Sequence, residues 1–190
     1  PVPEDPFLIL VNYDNPIPDG YEDTIELVKC GEKFVDSRIY DDLTAMMTEA
    51  QKYGSLWIAS AFRDTATQES VLENAIVKRM SDYGWTREEA TEDALLVIAQ
   101  PGESEHNTGL AVDFNYVEYG FEDTAVYEWL SENCADYGFV ERYTIDKEDI
   151  TQINYEPWHY RYVGVENAQA MEELGMCLEE YVDYYYGNEE

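Results

Sequence analysis

Apolar residues recur along the chain with two periods, one typical of amphipathic helices and the other of short strands. Over 39–54 the helical period places one apolar face on a helix that Gly54 would end, formed by Ile39, Leu43, Met46, Met47 and Ala50. Similar spacing predicts helices over 66–84, 86–99, 123–138, 165–175 and 178–187. Short apolar runs predict strands over 7–12, 56–63, 110–115, 139–143 and 158–164.

The order of these elements favours an α+β fold. Helices and strands do not alternate regularly, and the chain contains neither a GxGxxG motif nor a P-loop, so a doubly wound sheet is disfavoured. We find no internal repeat and no Gly/Ser linker. A length of 190 residues is enough for one hydrophobic core, and we therefore predict a single domain over 1–190.

Charge narrows the range of partners. The chain has 42 acidic and 11 basic side chains, a formal net charge of -31, which disfavours nucleic acid and anionic membrane surfaces. No apolar stretch approaches the ~20 residues of a membrane span. Because the sequence starts without Met, we expect a signal or anchor to have preceded it, which would be its only membrane contact. The cysteines, whose pairing stays open, are Cys30, Cys134 and Cys177.

Candidate chemistry begins with an aspartate in the predicted strand 110–115. Because alternate side chains of a strand share a face, Asp113 lies beside the small Ala111 and opposite the apolar residues Leu110, Val112 and Phe114. The chain has only two histidines. His106 precedes this strand in a polar stretch where Asn107 and Gly109 suit a turn, and His159 belongs to another predicted strand.

Two histidines and one carboxylate match a metal site with an open position. Taken singly, each histidine also fits an ordinary hydrogen-bonded polar residue. Together, His106, Asp113 and His159 would leave a fourth zinc position free, as in catalytic sites. Glu156 is the candidate base, since Pro157 excludes a regular helix and a turn there would bring Glu156 and His159 toward one metal.

Arg63 is the candidate cation for this site. It ends the predicted strand 56–63, on the face shared by Trp57, Ala59 and Ala61. One interpretation is an internal salt bridge, for which the chain offers many carboxylates. The other is a guanidinium fork that holds a substrate carboxylate or a developing oxyanion. The sequence alone does not decide between them.

Three segments, SAFRDTATQ, SEHNTGLAVDF and EPWHYRYVG, resemble in that order the zinc D-alanyl-D-alanine carboxypeptidases of the VanY type. The family's Ser-x-His-x-x-Gly-x-Ala-x-Asp box is filled by Ser104, His106, Gly109, Ala111 and Asp113. Its Glu-x-Trp-His box is filled by Glu156, Trp158 and His159. Upstream, Ala61 and Phe62 replace the usual Gly and Tyr before Arg63, whereas Gln68 is retained.

The resemblance implies one Zn²⁺ per chain, held by His106, Asp113 and His159, with Glu156 as general base and acid. It also implies that Arg63, Gln68 and Ser104 contact the substrate, a peptidoglycan stem peptide ending in D-alanine. The implied fold is a small antiparallel sheet that carries the zinc site and packs against several helices, as in hedgehog proteins. Such enzymes act outside the bacterial membrane, secreted or anchored.

Other functions stay open at this point. Within the family, L,D-carboxypeptidases and D,D-dipeptidases share these motifs. A non-haem Fe(II) oxygenase also uses two histidines and a carboxylate, but its ligands usually begin with a closer pair than His106 and Asp113, and it does not need Glu156. A non-catalytic cell-wall or zinc-binding module would likewise have no use for a base.

Overall fold

The structure, a computed structural model, describes residues 5–187 and contains two antiparallel sheets. The smaller sheet is a hairpin of β1 (Leu27–Cys30) and β2 (Lys33–Asp36), which the sequence analysis did not predict. The larger sheet is formed by β3 (Ile58–Ser60), β4 (Ala111–Phe114), β5 (Phe139–Tyr143) and β6 (Glu156–Tyr162). Its strand order is β3–β4–β6–β5, with every neighbouring pair antiparallel. The α+β class is confirmed.

The helices of residues 5–187 are α1 (Tyr40–Ala50), α2 (Thr65–Tyr83), α3 (Arg87–Ala94), α4 (Ala125–Asn133), α5 (Glu148–Thr151), α6 (Val165–Leu174) and α7 (Leu178–Tyr186). Local signals in the sequence fix the ends of α2, which begins where the Asp64 side chain accepts the Thr67 amide and ends at Gly84 in the left-handed conformation. A capping box of Thr86 and Glu89 starts α3.

Helices α1 and α4 cover one face of the larger sheet. Val112 and Phe114 of β4 belong to the same buried cluster as Leu43 of α1 and Leu130 of α4. Asp113 lies between Val112 and Phe114 along β4, so its side chain points to the opposite face of the sheet. The apolar core therefore supports the strand from one side, while the polar candidates gather on the other.

The predicted strand over 7–12 is wrong. A short 3-10 helix, Pro6–Leu8, occupies its start, and the Asp5 carboxylate accepts the Phe7 amide at 2.9 Å. The carbonyls of Phe7 and Ile9 accept hydrogen bonds from Nη2 of Arg161, at 2.9 and 2.7 Å. The apolar run is buried as expected, but it is held by an arginine side chain instead of a neighbouring strand.

Several predicted helices and strands were too long. The strand over 56–63 is reduced to Ile58–Ser60, and its register with β4 shifts between these two residues. The helix expected over 39–54 ends at Ala50, before Gly54, and the one expected over 86–99 ends at Ala94. The helix expected over 123–138 becomes α4 plus a 3-10 turn, Cys134–Tyr137, before Gly138.

Two further features concern the cysteines and the membrane. The thiols of Cys30, Cys134 and Cys177 are buried and unpaired. Among residues 5–187, no helix has both the length and the apolar character that crossing a membrane requires.

Candidate active site

A tight turn sets His106 against the sheet. The 3-10 helix Glu105–Thr108 begins at Ser104, whose hydroxyl accepts the His106 amide at 3.3 Å. It ends at Gly109, which has a φ of 73°. A Cβ at Gly109 would lie 3.2 Å from the Asp36 amide nitrogen, so this turn requires glycine both for its φ and for the close approach of β2.

Asp113 and His159 face each other across neighbouring strands. They are register partners in β4 and β6, so their side chains emerge side by side from one face of the sheet. Glu156 begins β6 and would point to the other face in a regular strand. The pairing of β5 with β6 shifts between Glu141 and Tyr143, and this irregularity brings the Glu156 carboxylate to 3.7 Å from Nδ1 of His159.

The turn expected between Glu156 and His159 is therefore wrong, although the two side chains do meet. Pro157 lies inside the continuous strand β6. Proline lacks an amide hydrogen and is tolerated in sheets at bulges, which is where it lies here. The bulge, and not a turn, brings the side chains of Glu156 and His159 together.

His106, Asp113 and His159 are buried, and one potential ligand atom from each lies within 4.8 Å of the others. Nε2 of His106 is 3.2 Å from one Asp113 oxygen, and Nδ1 of His159 is 2.9 Å from the other. The two imidazole rings stand nearly perpendicular, with centroids 5.0 Å apart. Three ligand atoms thus converge on one point from a turn and two strands.

The ring nitrogens that point away from Asp113, Nδ1 of His106 and Nε2 of His159, have partners that fit a metal site. Nδ1 of His106 lies 2.8 Å from the carbonyl of Ala61, which can only accept a hydrogen bond, so this nitrogen carries the proton. Nε2 of His159 lies 3.4 Å from the Glu105 carboxylate. With these nitrogens held by acceptors, Nε2 of His106 and Nδ1 of His159 are the ring nitrogens left to bind a metal, once any proton on them is lost.

The electrostatics of the cluster are those of a buried, charged site. Burial lowers the pKa of His106. Burial also acts to lower the pKa of His159, but hydrogen bonds with Asp113 and Glu105 outweigh it and raise that pKa to about 9. Burial opposes ionisation of Asp113 as well, yet the two histidines hold its pKa well below its usual range. Asp113 is thus a carboxylate, the form that binds a cation.

Glu156 has the environment of a proton-transfer group. Burial is the main cause that raises its pKa to about 8, and the negative charge of Asp113 adds to this, whereas His159 and Arg63 oppose it. Buried carboxyls with a raised pKa beside other charged groups are typical of general acids and bases.

The sequence analysis places Arg63 at the end of a strand, but in the structure it lies in the loop that follows β3. Its backbone is tied to the His106 turn, since its amide donates to the His106 carbonyl at 3.1 Å and its carbonyl accepts from the Asn107 side chain at 2.7 Å. Burial lowers the pKa of the guanidinium, and the charges of Asp113 and Glu156 oppose this. A guanidinium nevertheless stays protonated.

Arg63 has no salt bridge among the described residues. The arginines of residues 5–187 that pair with carboxylates are Arg38, Arg79, Arg87, Arg142 and Arg161. Nε of Arg63 is buried without a hydrogen-bond partner in this part of the chain. The internal salt bridge considered from the sequence is absent there. This favours the other interpretation, a guanidinium whose charge is available to a bound substrate.

A cavity of about 200 Å³ joins these groups. Six of the seven residues singled out from the sequence line it, namely Arg63, Ser104, His106, Asp113, Glu156 and His159. The seventh, Gln68, is fully buried behind the wall, where its amide donates to the carbonyl of the lining residue Ala99 at 2.7 Å. Its side-chain oxygen has no partner among residues 5–187.

Sequence reasoning missed Glu105, the fully buried neighbour of His106. One of its oxygens accepts from Nε of Arg142 at 2.8 Å and from Nη1 of Arg161 at 2.9 Å. Burial opposes its ionisation, but the two arginines hold the pKa of Glu105 well below its usual range. The available signal was the presence of two arginines inside apolar strands of a chain that is poor in basic residues.

Comparison with known proteins agrees with these features. Residues 32–165 match the family described as VanY, D-alanyl-D-alanine carboxypeptidase. A D-alanyl-D-alanine carboxypeptidase of Enterococcus faecalis is 41% identical over 93% of this chain, and the match spans 65% of that relative.

Two solved structures extend the comparison to the fold. The vancomycin resistance D,D-pentapeptidase VanY in complex with Zn(II) superposes with a TM-score of 0.84 at 39% identity, covering 93% of this chain and 99% of that one. The LD-carboxypeptidase LdcB superposes with a TM-score of 0.78 at 32% identity, covering 95% and 88%. From the matched boxes, the shared fold and these identities, we conclude that this chain belongs to the VanY family of D-alanyl-D-alanine carboxypeptidases.

Proposed function

We propose that this chain is a zinc peptidase that releases the terminal D-alanine from peptidoglycan stem peptides. The observation that carries the proposal is the convergence of His106, Asp113 and His159 beside Glu156, with the unpaired Arg63 in the same cavity. The names of the relatives support the substrate class, and the zinc in the VanY structure supports the metal.

His106, Asp113 and His159 would hold one Zn²⁺ through two imidazole nitrogens and one carboxylate oxygen. Three protein ligands leave a position for water or substrate, which is typical of catalytic zinc sites. When bound, zinc supplies a Lewis acid that polarises a carbonyl and lowers the pKa of water to about 7. The protein's part is to fix the ligands, and the acceptors behind both imidazoles do so.

Glu156 moves the proton in this proposal. Its carboxylate takes a proton from the attacking water, holds it within the buried cavity, and then delivers it to the nitrogen of the departing D-alanine. A carboxylate whose group has an ordinary pKa would be a weak base at neutral pH and would hold the water proton poorly. The raised pKa of Glu156 matches a group that must both accept and return a proton.

Arg63 would recognise the negative charge of the substrate. A stem peptide ends in a free carboxylate, and a carbonyl under attack develops an oxyanion. The guanidinium of Arg63 lines the cavity and is not neutralised by a salt bridge within residues 5–187, so it can bind either group. Its role is pronounced because the chain as a whole is strongly acidic and repels anions.

Ser104 and Gln68 complete the proposed substrate site. The Ser104 hydroxyl lines the cavity while accepting the His106 amide, so its own proton can be donated to substrate. Gln68 retains a buried oxygen without a partner among the described residues, but it would have to reach substrate past Ala99. Gln68 is therefore the weaker assignment, and a supporting role behind the wall fits its contacts better.

A second activity is favoured by the likeness to LdcB, an LD-carboxypeptidase. The metal ligands and the base would serve an L,D-carboxypeptidase or a D,D-dipeptidase equally well, because the bond cleaved is an amide in each case. What distinguishes these activities is which residues of the peptide fit the cavity. A non-catalytic zinc or cell-wall module is the least suited alternative, since it has no need of Glu156.

The proposed substrate determines where the protein acts. Peptidoglycan lies outside the cytoplasmic membrane, so we propose extracellular or cell-surface action.

The Glu156→Gln variant tests this proposal. Glutamine keeps the size and a hydrogen bond but accepts no proton, so zinc should remain bound while turnover of a defined pentapeptide falls by ~10²-fold or more. Zinc is measured on the purified protein by elemental analysis, and turnover is measured as released D-alanine. Near-wild-type turnover of the zinc-loaded variant would remove Glu156 from the mechanism.

A further inference from the structure

The two oxygens of the Glu105 carboxylate have different partners. Oε1 accepts the hydrogen bonds of Arg142 and Arg161, at 2.8 and 2.9 Å. Oε2 faces Nε2 of His159 at 3.4 Å. Glu105 is 2% exposed, so water cannot readily replace either set of partners. One oxygen thus serves the arginines and the other the histidine.

We propose that Glu105 is a positioning residue for the metal centre, whose Oε2 accepts the Nε2–H of His159 and so directs the Nδ1 lone pair of His159 to the zinc. The proposal rests on the proposed function, because it takes His159 as a zinc ligand. It assigns Nδ1 as the ligating nitrogen of His159. It also means that the buried Glu105 carboxylate acts on the metal site and does not only stabilise the fold.

The two arginines determine which oxygen of Glu105 is left to face His159. They fill Oε1 with donors and compensate the negative charge, which leaves Oε2 free for His159. Arg161 also binds the carbonyls of Phe7 and Ile9, and Arg142 binds the Glu179 carboxylate of α7 with two hydrogen bonds, at 2.8 and 2.6 Å. Phe7, Ile9 and Glu179 lie outside the matched residues 32–165, so the ends of the chain support Glu105 indirectly.

The Glu105→Gln variant separates the two oxygens. The arginines are donors, so they would hold the amide oxygen of the new side chain and leave its NH₂ group facing His159. A donor there favours an unprotonated Nε2 on His159, which moves the proton to Nδ1, the nitrogen assigned to zinc. Zinc binding must then displace that proton or turn the ring. We expect the Kd for zinc to rise 10–100-fold, the usual effect of losing such an outer partner.

Glu179→Gln is the matched control. It also removes one carboxylate charge from Arg142, but Glu179 is hydrogen-bonded to Arg142 and Asn12 and not to His159. Each protein is titrated with Zn²⁺ against a chelator of known affinity, and its thermal unfolding is followed without metal. The proposal predicts that Glu179→Gln costs stability while changing the zinc Kd less than twofold. Equal rises of Kd in both variants, or no rise in Glu105→Gln, would overturn it.

A second measurement determines the protonation of the histidines in the wild-type protein and does not depend on the folding of Glu105→Gln. The chain has only two histidines, so ¹⁵N-histidine labelling gives two imidazole spin systems, and His159→Ala assigns them by difference. In the zinc-loaded protein we expect His159 to carry a proton on Nε2 and to bind zinc through Nδ1. Zinc bound through Nε2 would overturn the positioning role while leaving the peptidase proposal intact. Absence of zinc binding by the wild-type protein would instead contradict the proposed function.

Discussion

Glu141 offers a test of the electrostatics away from the metal site. It lies on β5, where both carboxyl oxygens are 3.1 Å from the hydroxyl of Tyr127. Burial is the main cause that raises its pKa to about 7, and the nearby Asp146 and Glu122 add to this, whereas the Tyr127 hydrogen bond opposes it. In the folded protein Glu141 therefore keeps its proton to a higher pH than in the unfolded chain.

The sign and size of the effect follow from this pKa. At pH 4 the group is protonated in both states and costs nothing. As pH rises from about 4.5 to 7, the unfolded chain ionises first, so the contribution of Glu141 to stability is lost across that window. The pKa difference between 4.5 and about 7 corresponds to at most ~3.4 kcal/mol. Since Glu141 is only half-buried, solvent screening reduces the expected value to ~1–2 kcal/mol.

Glu141→Gln removes the ionisable group and keeps an acceptor for Tyr127. We expect the variant to be ~1–2 kcal/mol more stable than the wild type at pH 8 and equal to it within ~0.5 kcal/mol at pH 4. Urea unfolding of both proteins at each pH measures the difference, and the comparison cancels the general repulsion of the acidic chain. Glu132→Gln, an exposed position, removes the same charge and controls for net charge. A Glu141→Gln effect that is the same at pH 4 and pH 8 would refute the reasoning.

Two further predictions concern the site itself. Alanine at His106, Asp113 or His159 should each weaken zinc retention, and a strong chelator should abolish activity that added Zn²⁺ restores; full zinc in all three variants would contradict the ligand assignment. Arg63→Lys keeps the charge but loses the planar fork, which should cost ~2–4 kcal/mol of transition-state stabilisation, measured as kcat/KM on a free-acid pentapeptide. The amidated pentapeptide should be a poor substrate for the wild type, and equal rates on both peptides would show that the terminal carboxylate is not recognised.

Local signals explain which elements could be predicted from the sequence. Helix α2 was predicted to within one residue at each end, because its apolar spacing is a local feature, and its ends are set by Asp64 and Gly84 close by in the sequence. The run at 7–12 failed because its carbonyls bind Arg161, some 150 residues away in the chain. No periodicity within six residues can reveal that an arginine will replace a neighbouring strand.

In the candidate site, too, local patterns predicted some residues, whereas contacts with distant parts of the chain could not be predicted. Asp113 was placed by strand alternation and His106 by turn chemistry, and the structure brings both to one cavity. The contact of Glu156 with His159 depends on a bulge in the pairing of β5 with β6, and bulges are set by the partner strand as much as by the bulged one. Glu105 was missed because its partners come from β5 and β6, far along the chain.

The most direct test of the central claim is the product analysis of defined muropeptides. The zinc-loaded protein is incubated separately with a pentapeptide and a tetrapeptide, and the products are identified by mass spectrometry, with Glu156→Gln as the control. The account predicts that the pentapeptide loses one terminal D-alanine, that the tetrapeptide persists, and that the control is nearly inactive. Release of the D-Ala-D-Ala dipeptide, trimming of the tetrapeptide alone, or no cleavage by zinc-loaded protein would contradict it.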